Sequence, residues 1–160
     1  MADKTGGRGQ TLQVCVTPQS SDLTLVQFAA LTYIDVCCLQ DTTEFASTAN
    51  IVSETCISGE KIRLVGADED SDLEVTWFYD SACAGQNRLR TFGLAKSNAA
   101  YAFRKVYADG VSGVRTPTTL YIRAIVSGYT DSGIGIDDVQ TQSISGSIVQ
   151  GPLFVAPAPI

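Results

Sequence analysis

The sequence contains no histidine among its 160 residues. This absence excludes Ser-His-Asp and Cys-His catalysis and histidine-ligated zinc, and it removes the commonest general base. The five cysteines include no C-x-x-C pair, so their spacing does not indicate a cysteine-only metal site. Glu74 with Asp137 or Asp138 is left as a candidate acid–base pair, but separate surface acids account for these residues more simply. We therefore expect no enzymatic activity, no metal and no cofactor.

Basic residues and long apolar runs are also scarce. The 11 Lys and Arg stand against 17 Asp and Glu, which gives a formal net charge of −6. An acidic chain lacks the basic face that follows a phosphate backbone, so we do not expect it to bind nucleic acid. Met1–Gln10 is polar and rich in glycine, and no stretch approaches ~20 apolar residues. We expect no secretion signal, no membrane span and folding in the cytoplasm.

An acidic cluster has the spacing of a calcium-binding loop. Asp68, Asp70 and Asp72 match the first, third and fifth positions of an EF-hand. Leu73 stands where that loop needs glycine, and Tyr79 stands where it needs glutamate. The EF-hand is excluded, and the cluster is predicted to be a solvated acidic turn, with a loose cation site as the alternative.

Two long strands are predicted in the last third of the sequence. Thr118–Tyr129 alternates with a period of two, which is typical of a strand with a buried face. Val139–Gln150 carries Thr and Ser along one face and Ile and Gln along the other. At ~3.3 Å per residue this run would reach ~40 Å, against ~17–20 Å for an ordinary strand. A long strand pair with a hydroxyl-coated face indicates a water-facing wall built from many copies.

The only tryptophan lies in a third alternating segment, Asp72–Tyr79. The inward side chains are predicted to be Leu73, Val75, Trp77 and Tyr79, and the outward ones Asp72, Glu74 and Thr76. Further strands are predicted at Thr11–Val16, Tyr33–Leu39, Lys61–Val65 and Ala99–Ala108, with an acidic turn at Gly66–Ser71. One helix is predicted at Ser81–Leu94, capped by Ser81 and ended by Gly93. Gln40–Glu54 lacks periodicity and is predicted to be a long functional loop.

The cysteines are predicted to be buried thiols that pack as small hydrophobic residues, because the expected compartment is reducing. Cys37 and Cys38 are adjacent in a predicted strand, so they point to opposite faces and make poor partners for each other. A disulfide such as Cys15 with Cys56 is the alternative that the sequence allows.

The order of these features resembles the major tail tube protein of long-tailed bacteriophages. The resemblance rests on the Trp-bearing strand that ends in Asp80, the short helix with Gly85, Gln86 and Leu89, and the Tyr/Phe strand that ends in Asp109-Gly110. It continues through the closing run from Ile136 to Ser145 and Gly151-Pro152. The most similar segments are Ser71–Leu89 and Asp137–Gly151, and the similarity extends over nearly the whole chain after its first ten residues.

The resemblance implies a mainly β fold, a β-sandwich or half-barrel with one flanking α-helix, whose inner strands join those of other copies into a ring-wide β-barrel. It implies a flexible N-terminal arm at residues 1–10 and a single tail-tube-like domain at residues 11–160. The implied function is that of a structural virion protein, which forms stacked rings, typically homohexamers, around a channel for DNA ejection. The implied partners are further copies of the chain and the terminator, distal tail and tape measure proteins. The implied location is the virion tail, after assembly in the host cytoplasm.

Two sets of residues are assigned to roles in such a tube. The channel wall must let duplex DNA slide without sticking, so acids and neutral hydroxyls are expected there. The predicted lumen-lining residues are Asp72, Glu74, Thr76, Thr141, Ser143, Ser145 and Ser147. The predicted contact between successive rings is the long loop, with Thr42, Thr43, Glu44, Phe45, Ser47, Thr48 and Asn50.

Two other functions are compatible with the same pattern. One is another β-rich structural or adhesion module of a virion or pilus, which would bind an external ligand and need not form rings. The other is the tube protein of a contractile injection system, which shares the fold that the resemblance implies. The size of the purified particle separates the first from a tube protein.

Overall fold

The computed structural model describes residues 9–42, 45, 48–69, 71–133 and 135–160, with only the backbone described for 48–50 and 66–69. Most of the predicted N-terminal arm, residues 1–8, lies outside this range. The strands are β1 Thr11–Cys15, β2 Tyr33–Asp35, β3 Leu39–Thr42, β4 Thr48–Thr55, β5 Lys61–Glu69, β6 Ser71–Phe78, β7 Ala100–Val106, β8 Thr119–Asp131 and β9 Thr141–Val155. The helices are α1 Leu25–Ala30 and α2 Ala84–Ala95.

The main layer is a seven-stranded antiparallel sheet with the order β2-β1-β7-β8-β9-β6-β3. Its longest pair is β8 with β9, whose register runs from Thr119 opposite Val155 to Asp131 opposite Gln142. β1 is next to one end of the strand order and β3 is at the other end, yet both line one cavity of about 240 Å³. The sheet therefore curves around its core, and β2 and β3 do not pair with each other in the described structure. The predicted mainly β class is confirmed, with an open, curved sheet in the single chain.

The larger core lies on the sheet face that packs against α2. Leu73, Val75 and Trp77 of β6 point into it, as the alternation of that strand predicts. Leu89 and Phe92 of α2 lie in the same cluster. Tyr79 was expected to point inward as well, but it follows the last residue of β6 and is 44% exposed. The alternation fails there because the strand has ended.

A smaller core lies under α1. Phe28 is fully buried and stacks on Tyr121, with 5.3 Å between the ring centroids. α1 begins at a capping box, in which Thr24 and Gln27 each hydrogen-bond the other's backbone N–H. The prediction of one helix missed α1 because six residues are too few to show a helical period. The capping box stabilises the start of α1, and the buried Phe28 ring holds the helix against the sheet.

α2 begins and ends later than predicted. The N-cap is Cys83 rather than Ser81, because Asp80 accepts a hydrogen bond from the Ala82 N–H and holds these residues in a turn. The helix continues through Gly93 to a left-handed C-cap at Lys96. A Cβ at Gly93 would lie 2.8 Å from the carbonyl oxygen of Gly128. This glycine therefore permits close packing of α2 on the sheet and does not end the helix.

The prediction of a long loop at Gln40–Glu54 is wrong for most of that segment. It contains β3 and most of β4, and β4 pairs with β5 in a separate two-stranded hairpin. β5 extends to Glu69, so the predicted acidic turn at Gly66–Ser71 is mostly strand. The predicted strand Tyr33–Leu39 is divided into β2 and β3, because Cys38 has a left-handed backbone with a φ of 53°. The remaining predicted strands agree with the structure to within a few residues, except that β9 continues to Val155.

Candidate functional site

Seven polar residues lie together on two neighbouring strands, and we call this set the polar face. All seven are the residues that the sequence assigned to a lumen. β6 and β9 pair antiparallel, with Asp72 opposite Ser147, Glu74 opposite Ser145, Thr76 opposite Ser143 and Phe78 opposite Thr141. Residues directly opposite each other in a sheet share a face, and so do alternate residues of one strand. The polar face therefore consists of Asp72, Glu74, Thr76, Thr141, Ser143, Ser145 and Ser147.

The polar face lies on the side of the sheet opposite α2. Leu73 and Val75, which alternate with its members on β6, are buried against the helix side. None of the seven belongs to either hydrophobic cluster. Asp72, Glu74 and Ser145 are exposed, and the other four are partly exposed. Two acids and five hydroxyl groups thus form a water-facing strip with no cation among them.

A buried hydrogen-bonded group supports the polar face from behind. Gln142 of β9 is only 5% exposed. Its Oε1 accepts hydrogen bonds from Trp77 Nε1 at 3.3 Å and from Arg90 Nη2 at 3.2 Å. This arrangement links β9, β6 and α2. No role was assigned to Gln142 from the sequence, although a glutamine on the isoleucine-bearing face of β9 was a visible signal. A buried amide oxygen that accepts two hydrogen bonds helps to fix the register of the strands around it.

The residues assigned to the ring-to-ring loop do not form one loop. Thr42 ends β3, Thr48 and Asn50 belong to β4, and Phe45 packs on the larger core below the Lys105 ammonium. Thr43, Glu44 and Ser47 lie outside the described residues. The set is therefore divided between the edge of the main sheet and the first strand of the hairpin.

The β4–β5 hairpin carries a group of exposed apolar side chains that sequence reasoning missed. We call Thr48–Glu69 the apolar hairpin. Ile51 lies opposite Val65, and Val52 lies opposite Leu64. Leu64 is 61% exposed, Val65 is 78% exposed, and Ile57 in the turn is fully exposed. Adjacent positions on both faces are apolar, so the segment lacks the one-faced alternation that identifies a strand on a core.

An exposed apolar hairpin of this kind indicates an interaction surface. A two-stranded hairpin alone is at best marginally stable in water, and contiguous exposed apolar side chains mark surfaces that another molecule covers. β5 is separated from β6 by one residue, so the hairpin is joined closely to the Ser71 end of β6. The nine residues of β5 span roughly 30 Å at ~3.3 Å each.

No group of three or more Cys, Asp and Glu side chains is placed to hold a metal ion in the part of the chain that the structure describes. No helix among the described residues is long and apolar enough to cross a membrane.

No protein-family model matches the sequence, and no curated protein matches it. Solved structures do match its fold. A chain of the sheath/tube terminator of PVC, an extracellular contractile injection system, superposes with a TM-score of 0.69 at 7% identity, over 98% of this chain and 99% of that one. The SPP1 tail tube gives a TM-score of 0.62 at 15% identity, over 94% of this chain and 78% of that one.

A chain from the virion of a native gene transfer agent gives a TM-score of 0.61 at 13% identity, over 96% of this chain and all of that one. At these identities the similarity establishes the fold. The protein has the fold of components of phage, gene transfer agent and contractile injection system tails, as the sequence pattern predicted.

Proposed function

We propose that the protein is the structural subunit of a tail tube, which assembles as stacked rings around a channel for DNA. The observation that carries the proposal is the polar face, because it is a strip of two acids and five hydroxyl-bearing residues, with no cationic member, on two paired strands of a tail-tube fold. The same strip would line a channel if the sheets of several copies closed into one ring. The ring is proposed to be a homohexamer, and the protein is proposed to have no enzymatic activity.

The strand edges provide the means of closing a ring. β9 pairs with β6 only from Thr141 to Ile148. On the edge of β9 that faces β6, the segment from Val149 to Val155 therefore has no strand partner among the described residues. An unpaired edge is a template for a strand of another chain. Pairing between copies would join the sheets into one barrel, which leaves no exposed edge. This contact is heterologous, so its rotation must close to give a ring.

The apolar hairpin supports the stacking of rings. Its exposed apolar residues belong to the hairpin that precedes Ser71, the end of β6 opposite to Phe78. Burial of these side chains against a subunit of the next ring would remove them from water, at about 25 cal/mol for each Å² of apolar surface. The N-terminal arm at residues 1–10 is proposed to contribute to the same contact. The interfaces are expected to be of the large obligate class, with ~2,000 Å² or more buried per pair.

The charge of the polar face supports DNA passage without specific binding. Asp72 and Glu74 carry the only charges in the strip, and both are negative. Phosphates within a Debye length of ~8 Å would be repelled, so duplex DNA would slide and not adhere. The remaining partners are proposed to be the terminator, distal tail and tape measure proteins, with assembly in the host cytoplasm and no contact with a membrane.

A second candidate is the tube protein of a contractile injection system. The TM-score of 0.69 to the PVC terminator chain, against 0.62 for the SPP1 tail tube, favours this candidate. Both candidates require rings that stack, and they differ in what the channel carries. The proposal that the channel carries DNA rests on the acidic, hydroxyl-rich polar face.

The experiment is to purify the full chain and follow its size by light scattering over a range of concentrations, with negative-stain electron microscopy of the concentrated samples. Closed rings and stacked tubes are expected, and class averages give the symmetry. A particle that stays monomeric at every concentration, and that forms no tubes with its assembly partners, would contradict the proposal. Rings without tubes would support an assembly but contradict self-stacking.

A further inference from the structure

A disulfide joins two elements that are distant in the sequence. Cys37, in the connection between β2 and β3, is bonded to Cys83, the N-cap of α2, with a Cα–Cα distance of 6.0 Å. The expectation that all five cysteines are buried thiols is therefore wrong for this pair. It is also wrong for Cys38, which is exposed, and for Cys56, which is partly exposed, whereas Cys15 is a buried thiol. The pair was not predicted because 46 residues separate its members, and only the fold brings them together.

Other contacts hold the same junction without the covalent bond. Gln86 is fully buried, and its Nε2 donates to the carbonyl oxygens of Cys37 at 2.7 Å and Phe78 at 2.9 Å. Its Oε1 accepts from the Asp80 N–H at 2.8 Å. A Cβ at Gly85 would lie 2.0 Å from the Asp35 carbonyl oxygen, so the first turn of α2 packs directly on the end of β2. The two sulfurs are thus held close by packing and hydrogen bonds that do not depend on the bond between them.

The two cysteines differ in their access to solvent. Cys83 is 3% exposed, whereas Cys37 is partly exposed. The Cys83 sulfur accepts from the Cys37 N–H at 3.1 Å and lies at the N-terminus of a helix of 12 residues. Both features favour negative charge on that sulfur, whereas its burial and the Asp35 carbonyl oxygen 3.6 Å away oppose that charge. A small reagent can therefore reach Cys37, while Cys83 is placed to act next as an internal thiolate.

We propose that Cys37 and Cys83 form a redox latch, which closes by exchange with a low-molecular-weight disulfide and fixes the first turn of α2 to the β2–β3 connection. The Cys37 thiolate attacks the small disulfide, forms a mixed disulfide and expels one small thiolate. The Cys83 thiolate then attacks the Cys37 sulfur and expels the second. Two protein thiols are oxidised, the small disulfide is reduced to two thiols, and the two protein protons end on the released thiols.

The closed latch restrains the part of the chain that carries the proposed assembly surfaces. The segment between the two cysteines contains β3, the apolar hairpin and β6. A crosslink across this segment lowers the conformational freedom of the unfolded chain, which favours the folded state. The subunit is expected to fold with the latch open and to resist unfolding more strongly with the latch closed.

The test uses the full chain, reduced and then incubated with oxidised glutathione. Mass spectrometry after differential alkylation identifies the products, and guanidinium denaturation gives the midpoints. The wild type and the matched control Cys38→Ser are expected to gain the Cys37–Cys83 bond and a higher midpoint than their reduced forms. Cys83→Ser is expected to accumulate glutathione on Cys37, whereas Cys37→Ser is expected to leave Cys83 unmodified. For each of these two variants, the guanidinium midpoint should be the same before and after treatment with oxidised glutathione.

Three outcomes would overturn the latch. A reduced wild type that lacks the native far-UV circular dichroism would make the bond a condition of folding. Oxidation that yields no Cys37–Cys83 bond, or one between other cysteines, would exclude the exchange. Glutathione trapped on Cys83 in Cys37→Ser would reverse the order of attack. If Cys83→Ser does not fold, Cys83→Ala provides the same trapping experiment with a side chain that packs as a small apolar group.

Discussion

Glu74 lies directly opposite Ser145 across β6 and β9, on the side of the sheet that faces away from α2. The pair belongs to a strip in which acids on one strand meet hydroxyl groups on the next. Such a surface attracts water and repels phosphate, and its strands are held in register from behind by the buried Gln142 amide. The polar face is therefore a rigid surface whose charge can be changed without entering the core.

Replacing Glu74 and Ser143 with lysine should convert the polar face from a repelling to an attracting surface. Each lysine near a phosphate adds a salt-dependent contact, so assembled tubes of the variant should retain duplex DNA at low salt and release it as salt rises. Wild-type tubes should retain none. In infectious particles the same change should slow DNA ejection. Retention is measured by co-sedimentation of labelled duplex DNA with tubes over a range of salt concentrations.

The control for that experiment is a lysine on the exposed face of α2, at Thr91. It adds charge to the subunit but not to the polar face, and its tubes should not retain DNA. Equal retention by the two variants would place the polar face outside the channel. Absence of retention by the double lysine variant at low salt would count against the same assignment.

Leu64→Asp should block the stacking of rings while leaving the subunit folded. Leu64 is already 61% exposed, so its replacement should change the free energy of unfolding by no more than about 0.5 kcal/mol. A charge in an apolar interface is costly to bury, so the hairpin should no longer dock. Light scattering and electron microscopy should show subunits or single rings. The matched control is Ser53→Asp, an exposed polar position on the neighbouring strand, which should form tubes unless it faces the same contact.

Normal tubes from Leu64→Asp, under conditions in which the wild type also forms tubes, would show that the apolar hairpin is not the stacking surface. Failure of both Leu64→Asp and Ser53→Asp would indicate that the whole hairpin is buried between rings. Circular dichroism of each variant separates either result from simple unfolding.

The sequence predicted those elements whose pattern is set by one buried face. β6 is the clearest example, because Leu73, Val75 and Trp77 point into the core and Glu74 points away, so the alternation is complete. β8 and β9 were predicted for the same reason. The polar face follows directly, since correct alternation on two paired strands places opposite residues on one side.

The elements that were missed depend on contacts that sequence periodicity does not encode. α1 is held by a cap and by the stacking of Phe28 on Tyr121, a residue far away in the sequence. The apolar hairpin shows no single-faced pattern, and its described side chains, at 51–65, do not pack on either hydrophobic cluster. The Cys37–Cys83 bond arises from the meeting of α2 with the β2–β3 connection. None of these could follow from local periodicity.

Gly85→Ala should destabilise the subunit. The added Cβ would lie 2.0 Å from the Asp35 carbonyl oxygen, so α2 must move from the sheet. Overpacking of this kind costs about 1–3 kcal/mol, which exceeds the gain in helix propensity from replacing glycine. The control is Gly133→Ala, where a Cβ meets no atom within 4 Å and little change is expected. Guanidinium denaturation of both variants gives the comparison, and equal midpoints would show that α2 is not tightly packed at this position.

The pH dependence of stability should include a contribution from Asp109. Its pKa is lowered chiefly by the hydrogen bond from the Thr118 hydroxyl and next by the Thr118 N–H, which donates at 2.8 Å. Because the pKa is lower in the folded than in the unfolded chain, the ionised carboxylate adds stability above the unfolded value of about 3.9. That contribution is lost as the pH falls through the folded value. The wild type should therefore exceed Asp109→Asn in stability by a constant amount above about pH 5, and the difference should shrink below about pH 4.

Thr118→Val tests the cause of that dependence. It removes the hydroxyl donor and keeps the backbone N–H and the approximate shape of the side chain, so the pKa of Asp109 should rise toward its ordinary value. The difference in stability between Thr118→Val and the double variant Thr118→Val/Asp109→Asn should then vary less with pH than the difference between the wild type and Asp109→Asn. Denaturation of the four proteins from pH 3 to pH 7 completes this thermodynamic cycle. If the two differences vary equally with pH, the hydroxyl of Thr118 does not lower the pKa of Asp109, and the backbone N–H is the partner that matters.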